Sequence, residues 1–502
     1  MIYTQRWNST QIQQAFCVGG AILGLGTALA LLPLPWLVLA LLCCALAITT
    51  LIRPQITLYL MAFTVPFGSL YEVNLGGITV GATEGLVALT VAAWLARTIA
   101  RREVWAKPPK LAIPMALFVL ATLFSLVNAR SLPFAAKEIV KWVETLAVIA
   151  FVALAVPPTE HRWIVACLLL AGIAQALLGT YQFFTQTGPA FFILRGKYMR
   201  AYGTFEQPNP YAGYLGLIAP LALALALNLL ERRPTLRPLA ALKRDWPYWF
   251  ALTAFALTST AIGMSWSRGA WLGFAASTVV VNVLRSKRGA AIFAALLVVV
   301  AIAGLLAGTS MLPEPILHRL TSFLPFIGIE DLRAVEITDD NYASIERLAH
   351  WQAAVDMWED HPWLGVGFGN YEAAYADYAL PKWQLALGHA HNYYLNIGAE
   401  TGLLGLVAYL GLWSAALWQM WRASQEAATP YQRALGLGGL GMLVHLAVHS
   451  VVDNLWVHNM YIHVAIVLGL VISRSVRQPT STYQNVKQPA QQHRPQIPQG
   501  AN

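Results

Sequence analysis

The chain has 502 residues, 57% of them hydrophobic and only 11% charged, with a mean hydropathy of +0.54. Too few polar side chains remain to cover a water-soluble globule of this size, so lipid is the expected solvent. A formal charge of +9 would suit a nucleic-acid binder, but the basic residues sit in short clusters between apolar runs, which excludes that class and points to membrane orientation.

A helix needs roughly 20 apolar residues to cross hydrocarbon, because lipid offers backbone polar groups no partner outside the helix itself. Runs of this kind fall at 16–32, 35–52, 54–70, 78–96, 111–128, 139–156, 163–186, 209–230, 248–265, 270–284, 290–311, 401–421, 433–452 and 457–473. A short polar head (Gln5, Arg6, Gln11, Gln13, Gln14) precedes the first run, which passes almost directly into the second. It therefore reads as a membrane helix rather than a cleaved signal. Hairpins near Pro33 and Pro54 would reduce the number of spans from fourteen to about twelve. The expected fold is thus an all-α, polytopic membrane bundle over 1–477. Cys17, Cys43, Cys44 and Cys167 all lie in apolar runs, so no disulfide framework or zinc site is legible.

Positive residues are retained on the cytoplasmic side of a membrane. One connection holds Arg97, Arg101, Arg102, Lys107 and Lys110, and another Arg232, Arg233, Arg237, Lys243 and Arg244. Further basic sets are Arg285, Lys287 and Arg288, then Arg422 and Arg433, then Arg474 and Arg477. Alternate threading puts all of them on one side, with both termini cytoplasmic and the long connection 312–390 external. Acids outnumber bases in that loop, as suits a segment that crossed the bilayer, and a connection of such length is usually functional. Within it Ile345, Leu348, Trp351, Val355 and Trp358 recur at helical spacing, predicting an amphipathic helix on the outer surface or over a cavity. The tail 478–502 is rich in Gln and Pro, and its composition predicts disorder.

The informative residues are those that break the charge pattern. Arg195, Lys197 and Arg200 occupy an external connection, and Arg268 sits in the external turn Ser265-Trp266-Ser267-Arg268-Gly269. An arginine there either grips an anion such as a phosphate bidentately or snorkels as an interfacial anchor beside Trp266 and Trp271. His389 and His391 stand at the mouth of a helix, where imidazoles serve as general base, metal ligand or packing group. No third ligand of the usual kind is adjacent, so no metal is expected. His445, His449 and Asp453 share one helix face and suggest a structural His–Asp network near the outer end, or a proton or ion path. Lys137, Lys141 and Glu144 share another face, lining the same vestibule or snorkelling. Gly365-Val366-Gly367-Phe368-Gly369 follows no strand and reads as a turn rather than a nucleotide loop.

Several stretches together resemble the O-antigen ligase and polymerase family of bacterial envelope glycan assembly. They are Arg200-Ala201-Tyr202-Gly203-Thr204-Phe205 with Pro208-Asn209, and Ser267-Arg268-Gly269-Ala270-Trp271-Leu272-Gly273. Arg347-Leu348 with Trp351, the run from His361-Pro362-Trp363 to Gly369-Asn370, and His391-Asn392 followed by Gly402 and Gly405 complete the set. Leu406 departs from the usual ending, and the likeness spans about 181–453. The resemblance implies a GT-C-like glycosyltransferase architecture and an inverting, metal-independent transfer without cofactor. The implied donor is a glycan on undecaprenyl pyrophosphate, and the implied acceptor a glycan, lipid or protein hydroxyl at the periplasmic face of the bacterial inner membrane. It implies that Arg200 and Arg268 hold the pyrophosphate and that His391 is the catalytic base; His389, Asn392, Lys137, Lys141, His449 and Asp453 are secondary candidates. A polymerase of the same family is one alternative, and a bicarbonate-transporter-like protein, against which the His391-Asn392 segment argues, is another.

Overall fold

The computed structural model describes residues 33–68, 72–75, 78–102, 108–194, 196–230, 240–307 and 341–476, with the isolated positions 19, 20, 24, 26, 27, 319, 332 and 335–338. Most of the first apolar run, Arg195, much of the loop 312–340 and the tail 478–502 lie outside the described residues. The helices are α1 (Leu34–Ile52), α2 (Ile56–Phe67), α3 (Ala82–Ala100), α4 (Ala112–Ser125), α5 (Leu132–Ala155) and α6 (His161–Thr185). There follow α7 (Pro208–Leu230), α8 (Ala240–Met264), α9 (Arg268–Arg285), α10 (Lys287–Ala307) and α11 (Tyr342–Asp360). The series ends with α12 (Tyr371–Tyr378), α13 (Tyr393–Gln425), α14 (Pro430–His449) and α15 (Met460–Val476). Two small antiparallel hairpins interrupt them: β1 (Glu72–Leu75) with β2 (Ile78–Gly81), and β3 (Ile193–Leu194) with β4 (Tyr198–Met199).

Every apolar run after the first forms a helix. Among the described residues, α1, α3, α6, α7 and α13 are long and apolar enough to cross a membrane, and Ile56–Phe67, Ala112–Asn128 and Met460–Ser473 are shorter apolar helices. The chain is a multi-pass, all-α membrane protein. Helix α5 is the instructive exception to simple hydropathy, since its first half carries Lys137, Glu138 and Lys141, polar groups that a cavity rather than lipid accommodates.

Helices α7 and α14 form the centre. Helix α14 has every residue from Ala434 to Leu443 buried, and glycines let its neighbours approach. A β-carbon on Gly438 would lie 2.8 Å from Leu221 of α7, and one on Gly441 would lie 2.8 Å from Pro220 and Val281. Small residues on such contact faces are how lipid-embedded helices gain dispersion energy, because burial from lipid gains no hydrophobic free energy. The outer helices instead turn large apolar side chains outward, such as Leu34, Trp36 and Leu42 of α1.

Side-chain contacts tie helix ends together at both ends of the bundle. At one end Arg97 bonds the Ile52 carbonyl, Arg285 donates to the Leu227 carbonyl at 2.9 Å, and Arg433 to the Arg285 carbonyl at 2.7 Å. At the other, Asn128 donates to the Gly365 carbonyl at 2.8 Å, Arg200 to that of Ser265 at 2.8 Å, and Asn459 to Glu84 at 2.8 Å.

The expected external helix is α11, but its buried face is rotated from the expected one. Ser344, Ile345, Ala349, His350, Ala353, Ala354 and Met357 are buried, whereas Leu348, Trp351, Val355 and Trp358 are only partly so. The alanines pack closely against α12 and the start of α13, which frees Arg347, Leu348 and Trp351 to line a cavity. The Gly365–Gly369 segment is a turn laid along α13, with Val366 N–H donating to the Ala399 carbonyl at 2.9 Å and Gly367 N–H to that of Glu400 at 3.0 Å. Helix α13 breaks at Gly402 (φ 61°, ψ −163°), against the Trp363–Leu364 peptide.

Candidate active site

Arg200 is delivered by the β3–β4 hairpin, after which its N–H donates to the Phe192 carbonyl at 3.1 Å and the Ala201 N–H to the Met264 carbonyl at 3.0 Å. Two buried amides of α6 hold the turn that follows. Gln182 accepts from Gly203 N–H at 2.7 Å and donates to the Gly203 carbonyl at 2.8 Å, while Gln175 donates to Thr204 Oγ1 at 2.8 Å. Gly203 has φ +58°, and a β-carbon there would sit 2.4 Å from Gln175 Oε1. The Arg200 guanidinium is aimed by donations to the Ser265 carbonyl at 2.8 Å and Asn209 Oδ1 at 2.9 Å.

Arg268 is the first residue of α9, whose first turn no side chain caps, and it donates to Ser344 Oγ of α11 at 3.3 Å. With Arg319, which donates to the Trp266 carbonyl at 3.1 Å, and Arg347 of α11, it lines a cavity of about 390 Å³. Leu272, Leu348, Trp351 and Val452 form its apolar walls, and Asp453 is its one lining carboxylate among the described residues. The guanidiniums feel one another. Arg200 is pushed well below the usual guanidinium range by burial first, then by Arg319, Arg347 and Arg268, with Asp453 opposing. Burial and neighbouring arginines lower Arg268 and Arg319 to about 10. Confining like charges in a poorly solvated site is unfavourable until an anion neutralises them. The uncapped amides at the start of α9 add to the same field.

His391 precedes α13 with φ 53°, and Asn392 caps that helix through Tyr394 N–H at 3.0 Å and Leu395 N–H at 3.1 Å. The loop is pinned to the end of α14 by Tyr393 N–H donating to the Ser450 carbonyl at 2.8 Å. His391 Nδ1 lies 3.7 Å from Asp453 Oδ1, and neither ring nitrogen has a hydrogen-bond partner among the described residues. For Asp453, burial pushes the carboxyl up, but His391, Arg347 and His449 outweigh it and hold the group well below the usual carboxylate range. Glu206, Trp266, Leu387 and His458 share the left-handed backbone of His391. Each such residue costs about 1–2 kcal/mol, and such strain gathers at functional sites.

A second cavity, of about 380 Å³, lies across the Asp453 wall and contains His389, His391, Lys137 and Lys141. Asn209 and Asp453 line both cavities. The structure thus brings Arg200, Arg268, His391, His389, Asn392, Lys137, Lys141, His449 and Asp453 to one end of the bundle.

Three expectations change. The stripe on α14 is not a hydrogen-bonded network, because Asp453 faces His391, while the ring nitrogens of His445 and His449 are buried without hydrogen-bond partners among the described residues. His445 lines neither cavity and fills a cradle between Gly216 and Gly273. Glu144 does not join the vestibule and instead accepts from Tyr461 at 2.6 Å. A third metal-type ligand does exist, since donor atoms of His389, His391 and Asp453 lie within 4.8 Å of one another, a set that could hold a metal ion. However, His389 Nδ1 accepts from His391 N–H at 3.0 Å, leaving the proton of a neutral ring on Nε2. Sequence reasoning gave Arg319 no role beyond loop charge and used Arg347 only as part of the family resemblance, not as a site residue. Their signal was that they are bases within a predominantly acidic segment.

Residues 253–410 match the family model described as O-antigen ligase. This is shorter than the 181–453 of the motif resemblance: Arg268, Arg347 and His391 fall inside it, Arg200 and Asp453 outside. No curated protein matches the chain.

Proposed function

We propose that the chain, whose residues 253–410 match the family model described as O-antigen ligase, transfers a glycan from undecaprenyl pyrophosphate to an acceptor hydroxyl at the periplasmic face of the bacterial inner membrane. What supports this reading is the convergence of Arg268, Arg319 and Arg347 on an apolar-walled cavity, with Arg200 buried behind its Asn209 and His391 at its Asp453 wall. The arginines suit a diphosphate and the apolar walls the start of a polyprenyl chain.

In the proposed reaction His391 takes the acceptor O–H proton as the acceptor oxygen bonds to the anomeric carbon. The bond from that carbon to the phosphate oxygen breaks, and undecaprenyl pyrophosphate leaves with the electron pair. A single displacement inverts the anomeric configuration. Asp453, ionised beside His391, favours the imidazolium that forms. The guanidiniums stabilise charge growing on the leaving group, a term that is usually the largest in such transfers. Helix α11 covers the cavity and limits water, which would otherwise hydrolyse the donor. The residues invoked supply base and charge stabilisation without a metal.

The test is analysis of glycans in cells deleted for the gene. A ligase leaves full-length chains on the lipid carrier, whereas a polymerase leaves single units there. Unchanged lipid-linked and surface glycans in the deletion would refute the reading. The O-antigen ligase domain gives the transporter alternative no support.

A further inference from the structure

The two cavities differ in chemistry. The first is basic and apolar-walled; the second is lined by carboxylates of Glu138, Glu206 and Glu372 as well as Asp453, against Lys137 and Lys141, while the buried Glu400 is occupied in accepting from Tyr371 N–H at 3.0 Å. Lys141 is already paired with Glu138. Beyond the pairing the balance is acidic, so a phosphate or carboxylate entering here meets like charges, and the arginines stand across the Asp453 wall. Phe134 presents ring surface here, and the amides of Gln207, Asn209, Asn396 and Asn454 add neutral hydrogen-bonding groups to the wall. Carboxylates that accept from hydroxyls, amides that both donate and accept, and one aromatic face that packs against C–H recognise a sugar ring better than a lipid tail or an anion. The volume falls in the usual range for small-ligand pockets, about 300–1,000 Å³. His391 lines this cavity and not the first, so the imidazole meets whatever binds here.

We propose that the second cavity is a subsite for an uncharged, hydroxyl-rich saccharide, filled independently of the anion cavity, with Glu372 and Glu206 as its specificity-determining residues. That the saccharide is the acceptor rests on the transferase reading; that the cavity binds it does not.

The test is saturation-transfer NMR on the purified full-length protein. The probes are saccharides released by mild acid from surface glycolipids of the deletion strain, separated by anion exchange into uncharged and anionic pools, with inorganic pyrophosphate as competitor. Saturation should reach the uncharged pool, fall about 5-fold in Glu372→Gln and in Glu206→Gln, the loss expected for a net hydrogen bond, and persist in Arg347→Ala and under excess pyrophosphate. Preferential binding of the anionic pool, displacement by pyrophosphate, no saccharide binding, or full binding by both glutamate variants overturns the proposal. Saccharide binding that meets these criteria in a protein with no transfer activity would remove the transferase reading and leave the subsite standing.

Discussion

The sharpest consequences sit on single side chains. Replacing His391 by Ala removes the proposed base, so transfer by purified protein should fall about 100- to 10,000-fold with membrane expression unchanged. Arg268→Lys keeps the charge but loses the planar fork, and a decrease of about 10- to 100-fold is expected from the same assay. Near-normal transfer by either variant contradicts the assigned role. Burial first, and then His391, lowers His389 to about 3, and burial lowers His350 to about 4. Both rings are therefore neutral in the folded protein and take up protons on unfolding below the ordinary imidazole value of about 6.5. Since the unfolded state then binds more protons, stability is complete above about pH 6.5 and declines as pH falls towards the folded values. Thermal unfolding in detergent between pH 7 and about 4 should show this slope, and His389→Gln should flatten it.

At the scale of the element, glycines decide where helices break and loops seat. Gly402 combines φ 61° with ψ −163°, and a β-carbon there would lie 2.2 Å from the Trp363 carbonyl carbon. Gly402→Ala should therefore displace the His361–Asn370 turn and reduce folded yield. Gly411, on the same helix, has open space around it, with nothing within 4 Å of where a β-carbon would sit, and Gly411→Ala should be neutral or stabilise by up to about 1 kcal/mol. Equal behaviour of the two variants in detergent melting would contradict this account of the break. Gly203→Ala acts elsewhere: it strains the turn after Arg200, so donor binding should weaken more than thermal stability.

For the whole molecule, the charge pattern makes a claim about sidedness that cysteine labelling checks. In a background lacking native cysteines, Gln384→Cys should react with a membrane-impermeant maleimide on intact spheroplasts, and Glu426→Cys only after permeabilisation. Both positions are exposed, so access rather than burial decides the result. The opposite pattern would invert the orientation. The sequence by itself determined that the chain is a helical membrane protein and where its helices lie, because an unpartnered backbone in lipid forces long apolar runs and those are local. It also determined Arg200 and Arg268 as unusual, since a basic group at the wrong end of a span stands out in one dimension, whereas His391 stood out from other histidines only through the family resemblance. Only the tertiary structure decided which groups meet: that Asp453 faces His391 rather than His449, that Arg319 and Arg347 complete the basic cavity, and that His445 is a packing residue. Those outcomes depend on the rotation of α11 and the close approach of α7, α9 and α14 through small residues. Helical periodicity leaves such rotations open, because alanine and glycine carry no hydrophobic signal although they permit the closest contacts.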